Sequence, residues 1–190
     1  MLIVQYIGSD DPRAEETCEK LLTNAFAIDP DNIEALICQS SFRLSQQRTE
    51  DAKASALKAW LAWKDADEGV MNILVLAIRC RLRCIDLTLD DPVIPPLPTR
   101  IELTKRFIEL GEYAPALLVL QQIMAADDQE VEAWYLEGWC LYLMAEQAKD
   151  EGKKIEELSW DELARDARDC LENCRVVSFD WLGVIAFKMF

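Results

Sequence analysis

No histidine occurs anywhere in the 190 residues, and there are only six glycines. The missing imidazole removes the commonest general base, the commonest zinc ligand and every Ser/His or Cys/His nucleophile pair. Scarce glycine leaves few sites for tight hairpins, and runs of alternating β-branched residues are missing, so a sheet has little to be built from. Positive charge is also short: 20 Lys and Arg stand against 35 Asp and Glu, a formal net charge of −15. Such a surface repels nucleic acid, whose phosphates need cationic neutralisation, and suits a basic partner. A long uninterrupted apolar run is lacking too. Val70–Leu89 is the most apolar window, but Arg79, Arg81, Arg83 and Asp86 break it, well short of the ~20 residues a membrane span requires. Met1–Ile7 is too short, and lacks the basic flank, to read as a secretory signal.

The cysteines fit the same picture. Cys18, Cys38, Cys80, Cys84, Cys140, Cys170 and Cys174 are odd in number and scattered through apolar stretches, with no CxxC pair. That usage fits a reducing compartment, with the thiols acting as small buried hydrophobes and not as metal ligands or disulfides. Cys170 and Cys174 are spaced to share one helical face, as are Cys80 and Cys84. No metal, cofactor or small-molecule substrate is expected.

What is present is apolar periodicity. Hydrophobic residues make up 51% of the chain, enough for a buried core, and recur at helical spacing. Helices are predicted at about 12–28, 33–46, 50–63, 69–87, 98–110, 113–126, 131–148 and 160–177. Between them lie Asp29-Pro30-Asp31-Asn32, Gln46-Gln47-Arg48, Gly111 and Asp127-Asp128. The Pro-rich segment 90–98 cannot be helical inside and reads as an extended linker. Eight helices on short connections suggest an all-α stack of antiparallel pairs.

A fixed 34-residue period underlies the helices. Counting from Ile33, positions eight, twenty and twenty-seven hold Ser40, Ala52 and Ala59. Counting from Leu97, positions seven, eleven, fifteen, seventeen, twenty and twenty-four hold Leu103, Phe107, Gly111, Tyr113, Ala116 and Leu120. Counting from Val131, positions four, eight and eleven hold Trp134, Gly138 and Leu141. Leu22, Ala25 and Pro30 fit the second half of a preceding unit. The pattern resembles the tetratricopeptide repeat. That resemblance implies a single solenoid domain over 1–190, wound as a right-handed superhelix: a half repeat at 12–32, then repeats at 33–66, 97–130 and 131–175. An inserted helix at 69–89 and an apolar end at 176–190 depart from the pattern. Small residues at positions eight and twenty let the two helices of a unit approach closely. A plain helical bundle would not require the same offsets three times.

In such a solenoid the first helix of each unit lines a concave wall. From Val131, the residues Glu132, Tyr135, Trp139 and Tyr142 fall on one stripe, beside the packing stripe of Trp134, Gly138 and Leu141. Tyr and Trp next to a carboxylate suit Arg and Lys side chains, by charge and cation–π attraction. On the earlier unit the matching stripe is Glu34, Ile37, Ser41 and Leu44. Charge is uneven along the chain: residues 131–190 hold thirteen acids and seven bases, whereas 69–99 hold three of each. The densest acidic group, Glu156-Glu157, Asp161-Glu162 and Asp166, reads first as a solvated helix face. Repeat proteins that clamp the acidic tails of Hsp-type chaperones place Lys, Asn and Arg on this wall. Here only Lys105 has the right sign, so an acidic tail would be repelled.

A closer resemblance lies in three stretches: 127–142, with Trp134-Tyr135-Leu136 and Gly138-Trp139-Cys140-Leu141-Tyr142; Ile94-Pro95-Pro96-Leu97-Pro98-Thr99-Arg100; and Ala35-Leu36 through Arg43-Leu44-Ser45-Gln46-Gln47-Arg48. They are similar to the dedicated assembly chaperones of large-subunit ribosomal protein 4. The resemblance covers roughly 12–175. It implies a non-catalytic chaperone that covers the long basic internal loop of that ribosomal protein, escorts it from cytoplasm to nucleus, and uses an acidic groove. Carried over by position, the groove residues are Glu34, Ser41, Glu132, Tyr135, Trp139 and Tyr142. The alternative is a repeat scaffold or adaptor joining subunits of a complex through apolar contacts.

Overall fold

The computed structural model describes residues 13–64, 94–152, 154–155 and 158–188, with side chains described as far as Ser178. Seven helices are found among these residues: α1 (Ala14–Ile28), α2 (Ile33–Ser45), α3 (Thr49–Leu61), α4 (Leu97–Glu109), α5 (Tyr113–Ala126), α6 (Val131–Glu151) and α7 (Trp160–Lys188). The only strand-like pairing described is a single bridge, Ile155 to Leu158. The fold is all-helical. The helix expected at 69–87, residues 90–93 of the Pro-rich linker, Cys80, Cys84 and Glu156-Glu157 lie outside the described residues. The chain gathers into two compact units, Met1–Leu110 and Gly111–Phe190. Their division falls inside the repeat read at 97–130.

Local chemistry sets the helix ends. Asn32 caps α2, its Oδ1 accepting from the Ala35 N–H at 2.9 Å, which satisfies one of the donors orphaned in the first turn. Pro98 sits in the first turn of α4, where a missing N–H costs nothing. α7 opens on one side of a capping box: the Ser159 N–H and hydroxyl both donate to Glu162 Oε2. Glu162 of the acidic cluster is thereby accounted for as a helix start, and the Ser159 bonds hold its carboxyl below the usual range.

Two turns fall at the same position of the 34-residue count. Position fifteen is Gln47 in the first full unit and Gly111 in the next, and both adopt left-handed backbone, at φ 60° and 73°. These residues turn the chain between α2 and α3, and after α4. The third unit departs from the pattern. Its position fifteen, Ala145, stays helical, and α6 runs to twenty-one residues where α2 and α4 have thirteen. The turn is delayed to Gly152, at φ 62°.

In the first unit, α1, α3 and α4 all pack against α2. Cys18, Leu22 and Phe42 form a buried cluster with Phe26 and Cys38 against it. Ala52, Ala56 and Ala59 on α3 are fully buried, and Ser55 Oγ donates to Gln39 Oε1 across to α2 at 3.0 Å. Trp60 and Phe107 meet edge to face, centroids 6.1 Å apart, and join α3 to α4. Arg43 grips both carboxylate oxygens of Glu19, tying α2 to α1.

In the second unit, α6 and α7 form an antiparallel pair and α5 packs on α6. Gly138 makes the pair possible. A methyl group there would lie 2.8 Å from Leu171 Cγ and 3.1 Å from the Ala167 carbonyl oxygen. The two cysteines expected on one face both turn toward α6: Cys170 Sγ donates to Glu137 Oε2 at 3.5 Å and Cys174 Sγ to the Val131 carbonyl at 3.6 Å.

Candidate partner-binding site

α6 divides its circumference by chemistry. Ala133, Leu136, Glu137, Gly138, Cys140, Leu141, Met144, Ala145 and Ala148 are buried, turned to the two helices that flank it. What remains outward, at steps of three or four, is Glu132, Tyr135, Trp139, Tyr142 and Glu146, all exposed. The three aromatics keep 51%, 42% and 43% of their surface open to solvent, unusual for side chains of that size on one face. Trp139 and Tyr142 stack, ring centroids 5.6 Å apart and planes inclined by 24°. Trp134, expected to pack inward, is half-buried, and its indole N–H donates to the Asp128 carbonyl at 2.8 Å.

The residues named on α2 sit differently. Glu34 is exposed, Ser41 is half-buried, and Ile37 between them is buried. The Ser41 hydroxyl donates back to the Ile37 carbonyl at 3.2 Å. The stripe Glu34, Ile37, Ser41, Leu44 is therefore not a continuous wet face, because α2 carries neighbours on three of its sides. Glu34 and Ser41 belong to the first unit and the α6 residues to the second.

Two carboxylates escaped the sequence analysis. Glu146 continues the α6 stripe four residues past Tyr142, a spacing open to reading. It lies on the part of α6 that extends beyond the usual turn. Glu137 occupies position seven of its unit, where Leu103 stands in the preceding one. It is 8% exposed, and burial pushes its carboxyl above the ordinary 4.5, partly offset by the Cys170 bond. Burial first, then Glu137, pushes the Cys170 thiol up to about 12. A thiol held protonated at neutral pH is a poor nucleophile.

Among the described residues no His, Cys, Asp and Glu side chains group as a metal site, and no helix is long and apolar enough to cross a membrane. The chemistry offered by α6 is that of contact: flat aromatic faces, open to water, with a carboxylate at each end.

No protein-family model matches the chain. It is 38% identical over 133 residues to a protein of Emericella nidulans named probable assembly chaperone of rpl4. The match takes in 70% of this chain and 29% of that protein. A Schizosaccharomyces pombe protein of the same name is 28% identical over 173 residues, 91% of this chain and 43% of its own length. The solved structure of an assembly chaperone of RpL4 (Acl4) superposes with a TM-score of 0.63 at 29% identity, over 79% of this chain and 46% of that one. The chain resembles these chaperones in sequence and in helical fold, and spans less than half the length of each.

Proposed function

We propose that the chain is a binding chaperone for a basic ribosomal protein, large-subunit ribosomal protein 4, and shields that protein's basic internal loop during ribosome assembly. The observation that carries this is the outward face of α6, where Tyr135, Trp139 and Tyr142 stand exposed between Glu132 and Glu146. Aromatic faces hold the stems and charged heads of Arg and Lys, the carboxylates neutralise them, and the loop is kept off RNA. The net charge of −15 adds a long-range attraction for a cationic client. The names of the similar proteins support the same client. Glu34 and Ser41 are proposed as contributors from the first unit. No cofactor, catalysis, nucleic acid or membrane enters the mechanism, and the site of action is proposed as cytoplasm and nucleus.

Pull-down of the ribosomal protein tests this. Glu132→Lys combined with Trp139→Ala should lose the client, and wild-type capture should weaken strongly with salt. Capture unchanged by both the double variant and salt would sink the assignment.

One observation favours an adaptor instead. α5 carries no charged residue, and its outward positions Ala114, Leu118, Gln121 and Ala125 are exposed. An adaptor using that face would associate with a folded, non-basic partner independently of salt.

A further inference from the structure

The extension of α6 past its usual turn gives the aromatic stripe its second carboxylate, Glu146. Glu132 and Glu146 are separated by about 21 Å along the helix, at 1.5 Å per residue. An extended peptide crosses that distance in about six residues. Between them, Trp139 and Tyr142 each use one ring face on the other and leave 42% and 43% of their surface open. The cation nearest in sequence, Lys149, is engaged elsewhere: its Nζ lies over the Trp160 ring, 5.7 Å from the centroid.

We infer that this face selects arginine over lysine, one guanidinium lying flat on the Trp139–Tyr142 pair while its N–H groups reach a neighbouring carboxylate. The inference rests on α6 being the client-binding face, as proposed above. A guanidinium is planar and weakly hydrated, so it stacks on a ring and donates in its own plane at the same time. An ammonium is a compact, strongly hydrated point charge that cannot present a flat face to the rings and an edge to a carboxylate. A face made of carboxylates alone would take either cation. The stacked pair makes the difference, and Glu146, one turn past Tyr142 on the same stripe, is the acceptor at hand.

Two fluorescently labelled peptides of about a dozen residues, alternating Arg with Ser or Lys with Ser, carry the same charge and test this with the full chain. The arginine peptide should bind at least about fivefold more tightly, within the range of cation–π contributions. Trp139→Leu and Tyr142→Leu, checked for helix content by circular dichroism, should bring the affinity ratio close to one while both peptides still bind with salt dependence. Glu146→Gln alters an exposed side chain, leaves packing untouched, and should lower the ratio too. Equal affinities for the wild type overturn arginine selection and leave the basic-client face standing. Failure of both peptides to bind at low salt overturns both. A ratio unchanged in all three variants removes the selectivity from this pair.

Discussion

Glu137 couples chain stability to pH through its burial. Its burial favours the protonated carboxyl in the folded state over the unfolded one. The folded chain therefore binds more protons above 4.5. Its favourable contribution is complete below the ordinary value and is lost as pH rises through the raised folded one. Glu19 has the opposite sign. The Arg43 bond holds its carboxyl low, so its contribution is present above 4.5 and fades as pH falls through the folded value. Glu19 is 44% exposed, so solvent screens much of that effect. Glu137→Gln keeps the shape and a hydrogen-bonding oxygen without the charge. It should raise the urea midpoint at pH 7 and give a midpoint close to wild type near pH 4, with a flatter profile between. A midpoint lowered at pH 7 would show that the ionised carboxylate is needed. Position seven is apolar in the preceding unit, and the donor opposite, Cys170, is set by how α7 slides along α6. No spacing within either helix reveals that, which is why the buried carboxyl was not legible.

The helices themselves were legible because each carries its own signals. Expected spans of 33–46, 98–110 and 113–126 meet Ile33–Ser45, Leu97–Glu109 and Tyr113–Ala126, with Asn32, Pro98 and Gly111 marking ends. The α6 stripe was legible for the same reason, since helical spacing alone places Tyr135, Trp139 and Tyr142 together. The α2 stripe was not, because Ile37 is covered by packing between helices and not by anything in its own periodicity. Two substitutions test the elements. Gly138→Ala puts a methyl against Leu171 and the Ala167 carbonyl, forcing α6 and α7 apart. It should cost about 1–3 kcal/mol, as overpacking does, read as a lower denaturant midpoint with helix content retained. Gln47 bears a side chain in left-handed backbone where the matching position holds Gly111. Gln47→Gly should relieve that strain, net of glycine's greater unfolded entropy, and stabilise by about 0.5–1 kcal/mol. Thermal melts check both.

At the scale of the whole chain, net charge acts on folding and on binding with opposite salt dependence. Fifteen excess negative charges on 190 residues repel one another more in the compact state than in the expanded one. The described ion pairs Lys20–Glu16, Arg48–Asp51 and Arg175–Glu172 are all more than half exposed on both partners, and such pairs contribute little. These exposed pairs offset little of the repulsion among the excess acids. Raising salt from about 10 mM to about 100 mM shortens the screening length from about 30 Å to about 10 Å. Over that range the free chain should become more stable, by about 1 kcal/mol or roughly 2–4 °C in melting temperature for a chain of this size. Binding of a basic client should weaken over the same range, because the same charges that repel one another attract it. Calorimetry of the free chain and titration of a basic peptide in matched buffers measure the two together. If both fall with salt, attraction within the fold outweighs the net charge. If melting temperature rises while binding holds steady, the client is held by apolar contact, and the acidic excess serves solubility alone.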